Sequence, residues 1–167
     1  MPIEGLGKVD RAYDGKGLRI GIVHARWNSD VINALVEGAV DQLKTIGVTE
    51  ENIVVMSVPG SFELPFGTKT LYQQGKKDGK PFDALISIGV LIKGSTMHFE
   101  YIADAATHGL MKLQEEINIP VIFGVLTCLT DEQAKQRAGL TADGHNHGND
   151  WGSAAVEMAT KWNEATA

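Results

Sequence analysis

Six consecutive positions, Lys93-Gly94-Ser95-Thr96-Met97-His98, put a cation, a glycine, two hydroxyls and an imidazole side by side. They sit inside Gly89-Val-Leu-Ile-Lys-Gly-Ser-Thr-Met-His-Phe-Glu-Tyr101, where an apolar run (82–90) stops and a helical pattern begins. Ile102, Ala106, Leu110, Leu113 and Ile117 recur at steps of three and four, the mark of one buried helical face. The chemistry of such a junction is anion binding with proton transfer. A fresh helix N-terminus leaves backbone N–H groups unpaired, and the helix dipole adds partial positive charge there. His98 is expected one turn into the helix, and an imidazole is a group that can both give and take a proton. The same residues also describe an ordinary strand-to-helix loop capped by Ser95 or Thr96.

Other strand–helix units must hold this junction in place. Residues 18–24 read as a buried strand and 25–28 as a connection, with Asn28 or Ser29 as helix cap. Ile32, Leu35, Val36, Ala39, Leu43 and Ile46 form the next helical stripe, which Gly47 ends. Residues 52–58 make a second strand. Ser61 is a possible cap and Pro65 fits the first turn of a helix running to about residue 74, before a polar turn at 75–81. Residues 82–90 are the third strand, and Pro120 opens a fourth at 121–126. Thr130-Asp-Glu-Gln starts a short helix ended by Gly139. After an irregular break at 144–152, a last helix is expected from about residue 153 to 163. Strands apolar on both faces, alternating with helices, predict an α/β fold. It is a three-layer sandwich whose central four-stranded parallel sheet carries helices on both faces. Residues 1–16, glycine- and charge-rich and aperiodic, read as an arm; 17–167 form one domain.

Ligands of such sheets gather beyond the carboxyl ends of the strands. That rim would hold Trp27, residues 60–63, residues 90–98 and residues 127–128. By default a tryptophan after a strand packs into the core; yet Arg26 and Asn28 flank Trp27 and no apolar period includes it, so an exposed stacking platform is the alternative. Ser61, Phe62 and Glu63 suit a capped helix start with a favourable acid, or a site for a polyhydroxylated ligand. Phe123, inside strand four, reads as core. Arg137, near a helix end, either offsets the dipole or clamps a phosphate.

Composition narrows the classes. Hydrophobic residues are 43% and charged residues 22% of 167, which excludes a disordered chain. A net charge of -6 without a lysine or arginine run argues against nucleic acid binding. Cys128 is the single cysteine, so no internal disulfide forms and a reducing compartment is expected. No apolar stretch nears the roughly 20 residues of a membrane span, and the first residues lack signal-peptide blocks; the expectation is a cytoplasmic protein. His145 and His147, two apart in a glycine-rich loop without nearby cysteine, are too weak a pattern for zinc. His24 and His108 read as structural, and Cys128 has no base at a motif spacing that would make it a nucleophile.

Several segments together resemble the lumazine synthase family. They are His24-Ala-Arg-Trp-Asn28, Val58-Pro-Gly-Ser-Phe-Glu-Leu-Pro65, the 89–101 block, Pro120-Val-Ile-Phe-Gly-Val-Leu-Thr127 and Glu132-Gln-Ala, in the family's order. Trp27, where bacterial members commonly have phenylalanine, and the His145-Asn-His-Gly insertion resemble the fungal branch. The resemblance implies a flavodoxin-like sandwich and a condensation step of riboflavin biosynthesis. In it, 5-amino-6-(D-ribitylamino)uracil and 3,4-dihydroxy-2-butanone 4-phosphate give 6,7-dimethyl-8-ribityllumazine, phosphate and water, with no metal or organic cofactor. It also implies roles. Trp27 stacks on the pyrimidine; Ser61, Phe62 and Glu63 hold the ribityl chain; the backbone of Val90, Leu91 and Ile92 reads the uracil edge. Ser95, Thr96 and Arg137 bind phosphate, His98 shuttles protons, and Phe123 closes the pocket from a neighbouring subunit. The family's unit is a homopentamer in which the arm joins the neighbour's sheet, and the 139–152 loop is expected to stop assembly there. A protein of this fold that binds riboflavin on Trp27 and catalyses little is the alternative. A flavodoxin-like electron carrier lacks its phosphate loop here, since Arg26-Trp27 stands after strand one.

Overall fold

Strands and helices alternate along the chain, and the computed structural model, which describes residues 7–167, gives their bounds. They are β1 (Ile20–His24), α1 (Ser29–Thr45), β2 (Ile53–Ser57), α2 (Leu64–Lys77), β3 (Ala84–Ile92), α3 (His98–Ile117), β4 (Val121–Cys128), α4 (Asp131–Arg137) and α5 (His147–Thr166). All four strands pair in parallel, in the order β2-β1-β3-β4. This is the flavodoxin-like order, with β2 and β4 as open edges.

Alternation along the two central strands builds both cores. Ile20, Ile22, Ile86, Ile88 and Val90 pack with Leu35, Ala39, Val156 and Ala159 beneath α1 and α5. Val23 and Leu85 pack on the other side with Leu64, Leu71, Leu110 and Leu113 of α2 and α3. One polar pair sits inside the second layer: Ser87 Oγ and Thr68 Oγ1 are 2.7 Å apart and satisfy each other. Helices α1 and α5 approach closely because Gly148 faces α1. A Cβ there would run into the carbonyl oxygen of Leu35.

Several expected boundaries move. β3 reaches Ile92 and β4 reaches Cys128, each two residues past its pattern, because the two strands stay paired to their ends. Helix α2 continues to Lys77, three residues beyond expectation. Gly47 (φ 107) and Gly139 (φ 70) end α1 and the turn after α4 in the left-handed region, as their positions predicted. The largest difference is α5, which starts at His147 rather than 153. Asn146 caps it: its side-chain oxygen accepts from Gly148 N at 2.8 Å, and its amide donates to Ala34 O at 2.8 Å. The glycines that read as a break are what the close α1 packing requires.

Residues 10–15 lie against their own chain. Arg11 holds Glu164 through two bonds of 2.6 and 3.1 Å, and Lys161 lies 3.6 Å from Asp10. Gly15 N donates to Ile46 O at 2.7 Å. The first six residues of the expected arm fall outside the described residues. Among the described residues, no helix is long and apolar enough to cross a membrane.

Candidate functional site

The ladder between β1 and its neighbours extends past the strands and carries Trp27 to the rim. Val58 N donates to His24 O at 2.8 Å, Ala25 N to Ile88 O at 2.9 Å and Arg26 N to Pro59 O at 3.3 Å. The indole of Trp27 is 73% exposed. The default core placement is therefore wrong: the indole stands exposed on the rim. Asn28 does not cap α1 with its side chain. Its backbone is left-handed (φ 63), a conformation asparagine tolerates, and its amide donates to Val90 O at 3.0 Å. That bond ties the ends of β1 and β3 together.

The β2–α2 turn forms the next wall. A Cβ on Gly60 would lie 3.2 Å from Trp27 Cδ1, so the glycine lets the indole rest against the turn. Glu63 Oε2 accepts from Gly60 N at 3.0 Å, which fixes the carboxylate at the cavity. Ser61 makes no capping bond; it is buried against Gly89, where no side chain intervenes. Phe62 is 62% exposed.

The β3–α3 junction completes the site. His98 is the first residue of α3, not one turn in as expected, because the connection after β3 runs through Met97 before the helix begins. Thr96 Oγ1 accepts from His98 N at 3.3 Å, so the threonine rather than Ser95 serves the helix start. The His98 side chain is exposed and lines a cavity of about 710 Å³. Trp27, Ser61, Phe62 and Glu63 form one side of it, and Val90, Leu91 and Ile92 form its floor. A smaller hollow of about 560 Å³ adjoins it, with Trp27 bordering both.

Not every expected residue joins this cavity. Ser95 and Thr96 are exposed beside His98 but outside the wall. Arg137 stands at the far end of α4, exposed, near His147 and Cys128, whose titrations its charge influences. Phe123 is 43% exposed on the edge strand β4, where α3 leaves it uncovered, so its expected core role fails. Asn28, Ile102 and Asp131, read from the sequence as a cap, a buried-face residue and part of a helix start, also line the cavity, with Ile102 only half-buried. Asn28 carried a usable signal, since asparagine tolerates the left-handed conformation better than most non-glycine residues; Asp131 looked only like a favourable helix-start acid.

The remaining titratable groups have local roles. His145 Nε2 lies 2.7 Å and His147 Nδ1 3.5 Å from Asp150 Oδ2, which gathers the two histidines at the start of α5. Burial pushes His147 below its ordinary value of 6.5, against the attraction of Asp150. Burial also pushes the Cys128 thiol up, which makes it a poor nucleophile. Among the described residues, no three His, Cys, Asp or Glu side chains are grouped to hold a metal ion.

Fold and site together define a flavodoxin-like α/β enzyme, with an aromatic platform, a backbone edge and an accessible imidazole beyond the strands' carboxyl ends. The family model described as 6,7-dimethyl-8-ribityllumazine synthase matches residues 17–163. A relative of that name from Schizosaccharomyces pombe is 56% identical over 88% of this chain and 89% of its own. Another from Pyricularia oryzae is 50% identical over 93% of each. The chain belongs to the 6,7-dimethyl-8-ribityllumazine synthase family.

Proposed function

We propose that this protein condenses 5-amino-6-(D-ribitylamino)uracil with 3,4-dihydroxy-2-butanone 4-phosphate to 6,7-dimethyl-8-ribityllumazine, phosphate and two waters, a step of riboflavin biosynthesis. The observation that carries this reading is the convergence of the exposed Trp27 indole, the Glu63 carboxylate, the 90–92 backbone and the His98 imidazole on one cavity. The pyrimidine lies on the indole, its edge against Val90, Leu91 and Ile92. The ribityl hydroxyls meet Ser61, Phe62 and Glu63. The butanone phosphate rests on Ser95 and Thr96 at the start of α3, where the N–H groups point outward.

The chemistry needs little beyond this. The amine adds to the ketone and water leaves as the imine forms. Phosphate is then eliminated, the enol tautomerises, and the ribitylamino nitrogen closes the ring with loss of a second water. Each step moves a proton, and His98 can carry it in both directions. Donors at the phosphate oxygens stabilise charge as that group departs. Holding two substrates in register supplies much of the rest of the rate.

The site is shared between subunits of a homopentamer, with Phe123 and Arg137 of a neighbour completing it. Support comes from their exposure away from their own cavity and from the open edges of the sheet. Residues 17–167 are the catalytic domain. The lone buried Cys128 suits a cytoplasmic location.

Incubating the protein with both substrates tests the activity. Lumazine and inorganic phosphate released in equal amounts support it. A yellow, riboflavin-loaded protein that releases no phosphate would instead favour the carrier. Sedimentation should give about 90 kDa, five times the 18.0 kDa chain.

A further inference from the structure

The loop that carries the anion donors is bracketed by an ion pair. Lys93 is the first residue past β3, and its N–H still donates to Cys128 O at 2.9 Å, so its backbone belongs to the sheet. Glu100 lies in the first turn of α3. The Lys93 ammonium donates to Glu100 Oε1 and stands 5.7 Å from the centroid of the Phe99 ring. The other oxygen, Oε2, is buried without a partner among the described residues. Among the described residues, Lys93 is the cation paired with Glu100. Between the two, Gly94, Ser95, Thr96 and Met97 are all exposed, and a Cβ on Gly94 would meet nothing within 4 Å. Packing does not hold this loop; its ends do.

We propose that the Lys93–Glu100 pair is a positioning element for the phosphate substrate. It fixes the 94–97 loop between sheet and helix so that Ser95, Thr96 and the first N–H groups of α3 converge on the anion beside His98. The inference rests on the reading of the site given above. Lys93 itself is not the phosphate ligand in this account, because its charge is already committed to Glu100. Partly exposed pairs contribute little to global stability, so the consequence is local geometry. A small misplacement of binding groups is enough to cost rate.

The test uses the full-length enzyme with Lys93→Met, Glu100→Gln and the reversed pair Lys93→Glu/Glu100→Lys. Each single variant should raise KM for the butanone phosphate and Ki for inorganic phosphate together, on the order of fivefold or more. KM for the pyrimidine and the melting temperature should stay unchanged. Hydrogen exchange of the 95–99 amides should quicken. The reversed pair should recover most of the phosphate affinity. Single variants with wild-type phosphate affinity would overturn the proposal, as would a parallel loss of pyrimidine affinity and stability. Loss in Lys93→Met without recovery in the reversed pair would make Lys93 a direct ligand and overturn it as well. If wild-type protein forms no lumazine, the functional reading fails separately. The exchange of the loop amides then still decides the pair, and unchanged rates in the single variants refute it.

Discussion

Arg137 and His98 serve one reaction in the proposed mechanism, yet a single chain keeps them apart. His98 lines the cavity, whereas Arg137 lies beyond it at the far end of α4. Two defective variants, His98→Ala and Arg137→Ala, can therefore complement each other. In the proposed ring, every site takes its imidazole from one chain and its guanidinium from the next. A site is intact when the first chain is Arg137→Ala and the second is His98→Ala. At equal mixing each condition holds half the time, so about a quarter of the sites are intact. Co-expressing the two with different tags and isolating assemblies that carry both gives the sample. Lumazine formation should then rise from the low level of either homomer to about a quarter of wild type, and fall off on both sides of equal mixing. Separately, Arg137→Ala alone should chiefly raise KM for the phosphate substrate, and His98→Ala should lower kcat while sparing pyrimidine affinity. If the mixture is no more active than the average of its parents, both groups come from one chain and the shared site is refuted.

Three further outcomes follow from the geometry. Trp27→Ala should weaken pyrimidine binding by about 1–3 kcal/mol, roughly 5- to 150-fold in KM, because a stacking face is lost. The fold of the chain, read by far-UV circular dichroism, should not change, since the indole is 73% exposed on its own chain; a change under twofold in KM removes the platform. Gly148→Ala should overpack the α1–α5 contact at Leu35 O, cost about 1–3 kcal/mol and lower the melting temperature by about 2–12 °C at fixed protomer concentration. An unchanged melting curve would mean that the helices separate without cost. Burial holds His147 below 6.5, so the unfolded chain binds the extra proton first as pH falls. Its contribution to stability is complete above pH 6.5 and is lost below that, down through the depressed folded value. Urea midpoints from about pH 5 to 8 should show a shallower acid slope in His147→Gln, and an identical slope would contradict the burial argument.

The sheet was legible because its strands are apolar on both faces, and that pattern has few alternatives. Helix α3 was equally clear from Ala106, Leu110, Leu113 and Ile117, all of which are buried. The start of α5 was not, because Gly148 and Gly152 weaken local helix propensity, and only contact with α1 explains them. Trp27 and Phe123 show a second limit. Both are large aromatics beside or within apolar strands, where burial is the sound default. Their exposure depends on where the sheet ends and which helix covers it, and no local pattern encodes either. The cavity wall was readable from the resemblance to the family, while Asn28 and Asp131 entered it only through the turn geometry around them.

That second limit bears on how the site works. Exposed aromatics cost little in a monomer that never persists, but they would be poor design in one that does. Trp27, Phe62 and Phe123 together place apolar area on the rim and on an open edge strand. In the proposed ring a neighbour covers this area and excludes water from the imine and the departing phosphate. The interaction between His98 and the phosphate donors then strengthens, because the local dielectric falls. In that proposed ring, assembly and catalysis draw on one surface. A chain held apart from its neighbours would keep its fold, its indole and its imidazole, and would lack the enclosure that makes them useful.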